Sequence, residues 1–147
     1  MKISDFLSPA DVLVNVRASD KEQLLQDLAG KAAANLKIPA DEVFSELFKR
    51  EALGSTGMGN GVAIPHARFK ALKKPFGIVA RLKQPIDFDA IDGQPVDLVF
   101  VLLLPAAAEG EQLGALACVA RKLRTPHDLL QLHRAKDASE LYSVLTA

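Results

Sequence analysis

Leu98-Val99-Phe100-Val101-Leu102-Leu103-Leu104 is an unbroken apolar run between Asp97 and Pro105. It is far short of the ~20 residues that a membrane-spanning helix needs. Without polar alternation it reads as a strand covered on both faces, and such a strand belongs in the middle of a sheet with layers above and below.

The rest of the chain supplies those layers. Val12, Val14 and Val16 alternate with Leu13 and Asn15 and suit a strand. Ser19 and Glu22 have capping-box spacing, and Leu24, Leu28 and Ala32 repeat behind them, which predicts a helix over about residues 20–35. Pro39 opens a second helix whose apolar stripe is Val43, Phe44, Leu47 and Phe48. Gly54 stops it, with Arg50 in its last turn. Further strands are predicted at Val62–Ile64 and Ile78–Leu82. The stretch from Leu82 to Asp97, with its Asp92-Gly93 turn, is too short and proline-rich for a helical crossover and is expected to be a loop or hairpin.

Beyond the central strand, Leu113, Leu116, Ala117 and Ala120 form a helical stripe, with Cys118 among them as a small core residue. Two short helices follow, one after Pro126 and one capped by Asp137 or Ser139 with Leu141, Val144 and Leu145 as its inner face. The fold class expected is α/β: a single domain over residues 1–147, with a mixed parallel and antiparallel central sheet flanked by helices on both faces.

Composition narrows the function. Eighteen basic side chains balance eighteen acidic ones, so there is no broad field for nucleic acid or for an acidic membrane surface. Any anion must be held locally. The N-terminal residues show no secretory signal, and with one cysteine the chain has no internal disulfide, so a cytoplasmic location is expected. His127 and His133 are six apart, which does not place two ligands on one helical face; they are expected at the surface, with no metal site. No serine-hydrolase elbow is present.

Four of the nine glycines, Gly54, Gly57, Gly59 and Gly61, lie between positions 54 and 61. The segment is either a flexible connection or an anion cradle built from close backbone amides. It is not a nucleotide loop, because Asn60 stands where a lysine is needed and Val62 breaks the alternative glycine pattern; no cofactor is called for. Ile64-Pro65-His66 follows. Proline holds the residue before it extended, so His66 emerges from a stiff strand end. A lone histidine is otherwise a hydrogen-bonded structural residue, but a neutral imidazole on a rigid mount can also accept a phosphoryl group. Phosphoryl transfer asks for positioning, cations and N–H donors. Arg50, Ser55, Thr56 and Gly57 are the nearby candidates; Arg50 alternatively complements the helix dipole.

Taken whole, Arg50-Glu51-Ala52-Leu53-Gly54-Ser55-Thr56-Gly57-Met58-Gly59-Asn60-Gly61-Val62-Ala63-Ile64-Pro65-His66 closely resembles the active-site segment of the enzyme IIA components of the bacterial phosphoenolpyruvate-dependent phosphotransferase system, fructose/mannitol class. Pro85 to Asp97, which reads PIDFDAIDGQPVD, is most similar to the nitrogen-regulatory branch of that family. The resemblance runs over nearly the full length. It implies a phosphocarrier with no cofactor, phosphorylated on His66 by an HPr-like carrier protein, with Arg50 stabilising the phosphate. Sugar-specific members pass the group to a IIB domain. Nitrogen-branch members mainly bind targets, including potassium-transport and sensor-kinase proteins, according to phosphorylation state. That no fused IIB or membrane domain is read in the sequence favours the second role over the first, and the intact Arg50 and His66 pair counts against a binding module that is never phosphorylated. In one respect this sequence departs from the family. Members often carry a second histidine where Gln112 stands, and an amide can donate to phosphate but cannot become cationic. On this view Arg50 is the main local positive charge.

Overall fold

The computed structural model describes residues 1–107 and 109–147, without the side chains of 109–112. After two short 3-10 turns the order is β1 (Val12–Val16), α1 (Lys21–Asn35), α2 (Ala40–Leu53), β2 (Gly57–Gly59), β3 (Val62–Ala63), β4 (His66–Phe69), β5 (Phe76–Ile86), β6 (Val96–Pro105), α3 (Glu109–Arg124), α4 (Pro126–Arg134) and α5 (Ala138–Thr146).

The apolar run becomes β6, and it lies in the middle. The six-stranded sheet runs β1-β5-β6-β3-β2, with β4 also on β6. β5 is antiparallel to β6, whereas β3 and β4 are parallel to it, so the sheet is mixed. Val99, Val101 and Leu103 point to a core shared with Leu24, Leu28, Val43 and Leu47 of α1 and α2. Leu98, Phe100 and Leu102 point the other way, to Ala115, Val119, Leu132 and Leu141 of α3, α4 and α5. Helices cover both faces, which is why the run needs no polar alternation. Each such fully buried side chain contributes roughly 1.5–3 kcal/mol.

β3 and β4 are two pieces of one line along β6. Val62 and Ala63 face Leu98 and Val99, and after a two-residue break His66 faces Leu102. Pro65 makes the break, because it has no N–H to give to a ladder, while its carbonyl still accepts from the Leu102 amide at 2.9 Å. His66 is thus the first residue after an interruption.

Several local expectations shift. The N-cap of α1 is Asp20, whose carboxylate accepts from the Gln23 amide at 2.8 Å, not Ser19; the Ser19 hydroxyl instead bonds the Gln23 side chain. Both S-x-x-E and D-x-x-Q fit a cap; here the Ser19 hydroxyl is taken by the Gln23 side chain, and Asp20 accepts from the third helical amide. The stripe of α3 is rotated: Ala115, Val119 and Leu123 are buried, and Leu113 is 71% exposed. Cys118 is half-buried beside this core, with its thiol 2.9 Å from the Met1 carbonyl. The predicted loop or hairpin after Leu82 is a hairpin, with β5 running on to Ile86 through an irregular register that accommodates Pro85. The glycine segment is a hairpin too. β2 and β3 pair antiparallel about Asn60 and Gly61, whose φ angles of 56° and 80° are the left-handed values a tight two-residue turn requires.

Candidate functional site

The site begins where α2 ends. Its buried residues are Val43, Leu47 and Glu51, so the apolar four-residue repeat closes on a carboxylate. Glu51 accepts from the Thr56 amide at 2.9 Å, from the Thr56 hydroxyl, and from Lys21 Nζ at 3.0 Å. Lys21 also sits 4.7 Å over the Phe88 ring. The Ser55 hydroxyl donates to the Phe88 carbonyl at 2.6 Å and accepts from the Gly57 amide at 3.0 Å. A Cβ at Gly57 would stand 2.8 Å from that of Ala90, so this glycine admits a protein neighbour. The Ser55 and Thr56 hydroxyls and the Thr56 and Gly57 amides are therefore committed to holding residues 51–57 in place.

Arg50 leaves the same helical turn outward. Its Nη1 donates to the Gly54 carbonyl at 2.7 Å, satisfying an orphan carbonyl at the helix end. It then lines an open cavity of about 330 Å3 with Glu46, Lys49, Leu53, His66 and Arg68. The structure thus brings Arg50 and His66 together. It does not bring Ser55, Thr56 or Gly57 to this cavity, and the Gln112 side chain lies outside the described residues.

His66 is half-buried, with Nδ1 2.8 Å from the Ile64 carbonyl. A carbonyl oxygen only accepts, so Nδ1 carries the proton and donates, which leaves the lone pair on Nε2. Burial pushes the His66 pKa below the ordinary 6.5. The Ile64 carbonyl opposes this, Arg50 reinforces it, Glu51 opposes it and Arg68 reinforces it. The ring is accordingly neutral near pH 7 with one oriented nucleophilic nitrogen, in a cavity edged by guanidinium groups. Such a place suits an electrophile that carries negative charge.

The family model described as phosphoenolpyruvate-dependent sugar phosphotransferase system, EIIA 2, matches residues 5–147. The chain belongs to this family. Two nitrogen regulatory proteins fix the branch of this IIA chain. That of Bradyrhizobium diazoefficiens is 47% identical over 145 residues, 99% of this chain and 95% of the relative. That of Pseudomonas aeruginosa is 41% identical, over 99% of this chain and 95% of the relative. The crystal structure of nitrogen regulatory protein IIA-Ntr from Neisseria meningitidis superposes with a TM-score of 0.93 at 35% identity, covering 98% of this chain and 99% of that one. The IIA chain is therefore of the nitrogen-regulatory branch, in a family whose members are phosphotransfer components. Among the described residues no helix is long and apolar enough to cross a membrane, and no cluster of histidine, cysteine and acidic residues could hold a metal.

Three features escaped sequence reasoning. Glu51 was signalled by its place at the end of the Val43, Leu47 repeat, where a charge must be paired. Arg68 was signalled by standing two residues from His66 on a strand. His133 is not a free surface residue: its Nδ1 lies 3.2 Å from Asp97 Oδ1 and its Nε2 3.2 Å from the Asn60 carbonyl. Neither contact has a local sequence signature.

Proposed function

We propose that the protein is a regulatory phosphocarrier that accepts a phosphoryl group from an HPr-like carrier protein on Nε2 of His66. The observation that carries this reading is the Nδ1 contact to the Ile64 carbonyl, which leaves Nε2 as the nucleophile in the cavity that Arg50 lines. In the transfer, the Nε2 lone pair forms a bond to phosphorus as the donor's N–P bond breaks. The electron pair of that bond returns to the donor's ring, and the His66 ring keeps its Nδ1 proton. Arg50 balances the charge on the phosphoryl oxygens with the guanidinium donors not engaged by Gly54. Ser55, Thr56 and Gly57 act one step back, by fixing the turn that follows Arg50; direct phosphate contact from either hydroxyl, or from the Thr56 or Gly57 amide, requires giving up its present partner. Gln112 is the candidate amide donor from the start of α3.

A protein donor suits the rim of the cavity. Leu53, 86% exposed, offers apolar surface that a small phosphate ester would not need. The nitrogen-regulatory relatives support a regulatory role over delivery to a sugar-specific IIB domain; potassium-transport and sensor-kinase proteins are the targets we propose. The testing experiment mixes the protein with phosphoenolpyruvate, enzyme I and the HPr-like carrier. The expected product is an acid-labile, base-stable phosphate on wild type and none on His66→Ala. Equal label on the two, or none on wild type, overturns the reading. Arg50→Ala should label more slowly with its fold retained; unchanged kinetics would leave Arg50 as a helix-end cap alone.

A further inference from the structure

The cavity at His66 holds three cations, and they differ in what they already do. Lys49 pairs with Glu46 at 3.5 Å, and Arg50 donates to the Gly54 carbonyl. Arg68 is exposed, and its side chain makes no hydrogen bond or ion pair among the described residues. Along β4, Ala67 and Phe69 are buried, while His66 and Arg68 fall on the other side, because alternate residues of a strand share a face. The ladder of β4 to β6 is regular over all four residues, so this placement is fixed by the strand and not by a loop. Arg68 is close enough to disfavour a positive charge on His66.

From this geometry we infer that Arg68 is a second phosphoryl-binding guanidinium, acting with Arg50 on the oxygens of a phosphoryl group carried by His66. The inference rests on the phosphocarrier reading. Two planar guanidinium groups lining the cavity of the nucleophile give two sets of N–H donors for three equatorial oxygens. It also supplies a second cation where Gln112 cannot provide one. The electrostatic cost of holding Arg68 near His66 falls on the unphosphorylated imidazolium, which the reaction does not use. The gain falls on the phosphorylated state, whose oxygens carry negative charge.

The test uses the full chain as wild type, Arg68→Ala and Arg68→Lys, with thermal melting to confirm the fold. First, the His66 titration midpoint is followed by NMR in the unphosphorylated proteins. It should rise in Arg68→Ala and stay low in Arg68→Lys. Second, the proteins are phosphorylated with phosphoramidate: its P–N bond breaks, ammonia leaves with the electron pair, and phosphorus bonds to Nε2. The last ionisation of the phosphoryl group, followed by 31P NMR, should also move up in Arg68→Ala and return with lysine. The equilibrium with the HPr-like donor should fall roughly two- to fivefold in Arg68→Ala. A phosphoryl midpoint equal in wild type and Arg68→Ala overturns the inference. If phosphoramidate labels none of the proteins, an unmoved His66 midpoint does so. Label from phosphoramidate but not from the carrier protein would remove the phosphocarrier reading, while the midpoints still decide the role of Arg68.

Discussion

At His66 two opposing effects meet. Burial disfavours the imidazolium and the Ile64 carbonyl favours it, and the balance lies below the ordinary value of 6.5. The sign of the consequence is fixed by linkage. A histidine whose folded pKa is lowered contributes stability that is fully present above 6.5 and is lost as pH falls through the folded value, because the unfolded chain takes up the proton more readily. His66 should therefore titrate below 6.5 by NMR, and labelling by the carrier should hold its rate down to that midpoint and then decline. A midpoint at or above 6.5 would show that the ring is not desolvated as described. Glu51 is the complementary case, a buried carboxylate satisfied by Lys21 and by both donors of Thr56. Glu51→Ala leaves Lys21 and the Thr56 amide without that partner and should cost roughly 3 kcal/mol in urea denaturation. Glu51→Gln, which keeps an acceptor, should cost less. Equal losses in the two variants would mean that the charge, which both remove, and not the packing and acceptor that glutamine keeps, is what Glu51 supplies.

At the scale of elements, the β2–β3 hairpin is what joins the end of α2 to the strand that carries His66, and it is clamped from outside. Asp92 accepts from the Asn60 amide at 3.0 Å, and His133 of α4 reaches both Asn60 and Asp97. Both partners of the His133 ring are acceptors, so satisfying both requires the doubly protonated form. The hydrogen bond and charge of Asp97 raise its pKa above 6.5; burial and Arg81 work against this, and the Asn60 carbonyl works with it. Here the sign reverses. The clamp contributes fully below 6.5 and is lost as pH rises through the folded value. The thermal-stability difference between wild type and His133→Gln should be largest in mildly acidic buffer and shrink in alkaline buffer; a difference independent of pH would assign His133 a packing role only. Nothing in the local sequence announces this clamp, since Asn60 and His133 are 73 residues apart. Asn60-Gly61 is the strongest short signal for a two-residue turn, a signal passed over above in favour of the glycine count. That count reads as either a flexible connection or an anion cradle, whereas the amides of Thr56, Gly57 and Asn60 are given to Glu51, Ser55 and Asp92.

For the whole molecule, one strand separates two cores, and both depend on it. Phe100 is fully buried on the face of α3, α4 and α5, 6.3 Å from the Phe6 ring, and its ring edge occupies the space that a Cβ at Gly77 would need. Phe100→Ala should cost roughly 3–5 kcal/mol in urea denaturation. A loss below about 1 kcal/mol would mean that the surrounding helices collapse into the space. The amino-acid sequence by itself determined the central strand, the helices on either side of it, the mixed sheet and the stiff mount of His66. These follow from local rules, hydrophobic period and the backbone limits of proline and glycine, which act within a few residues. Only the tertiary structure decided which nitrogen of His66 is free, that Ser55 and Thr56 bond to protein groups, which side of α3 is buried, and that Arg68 shares the cavity. Each of these is a contact between distant segments or a choice among competing partners, and it is settled by which groups the closed fold leaves without water.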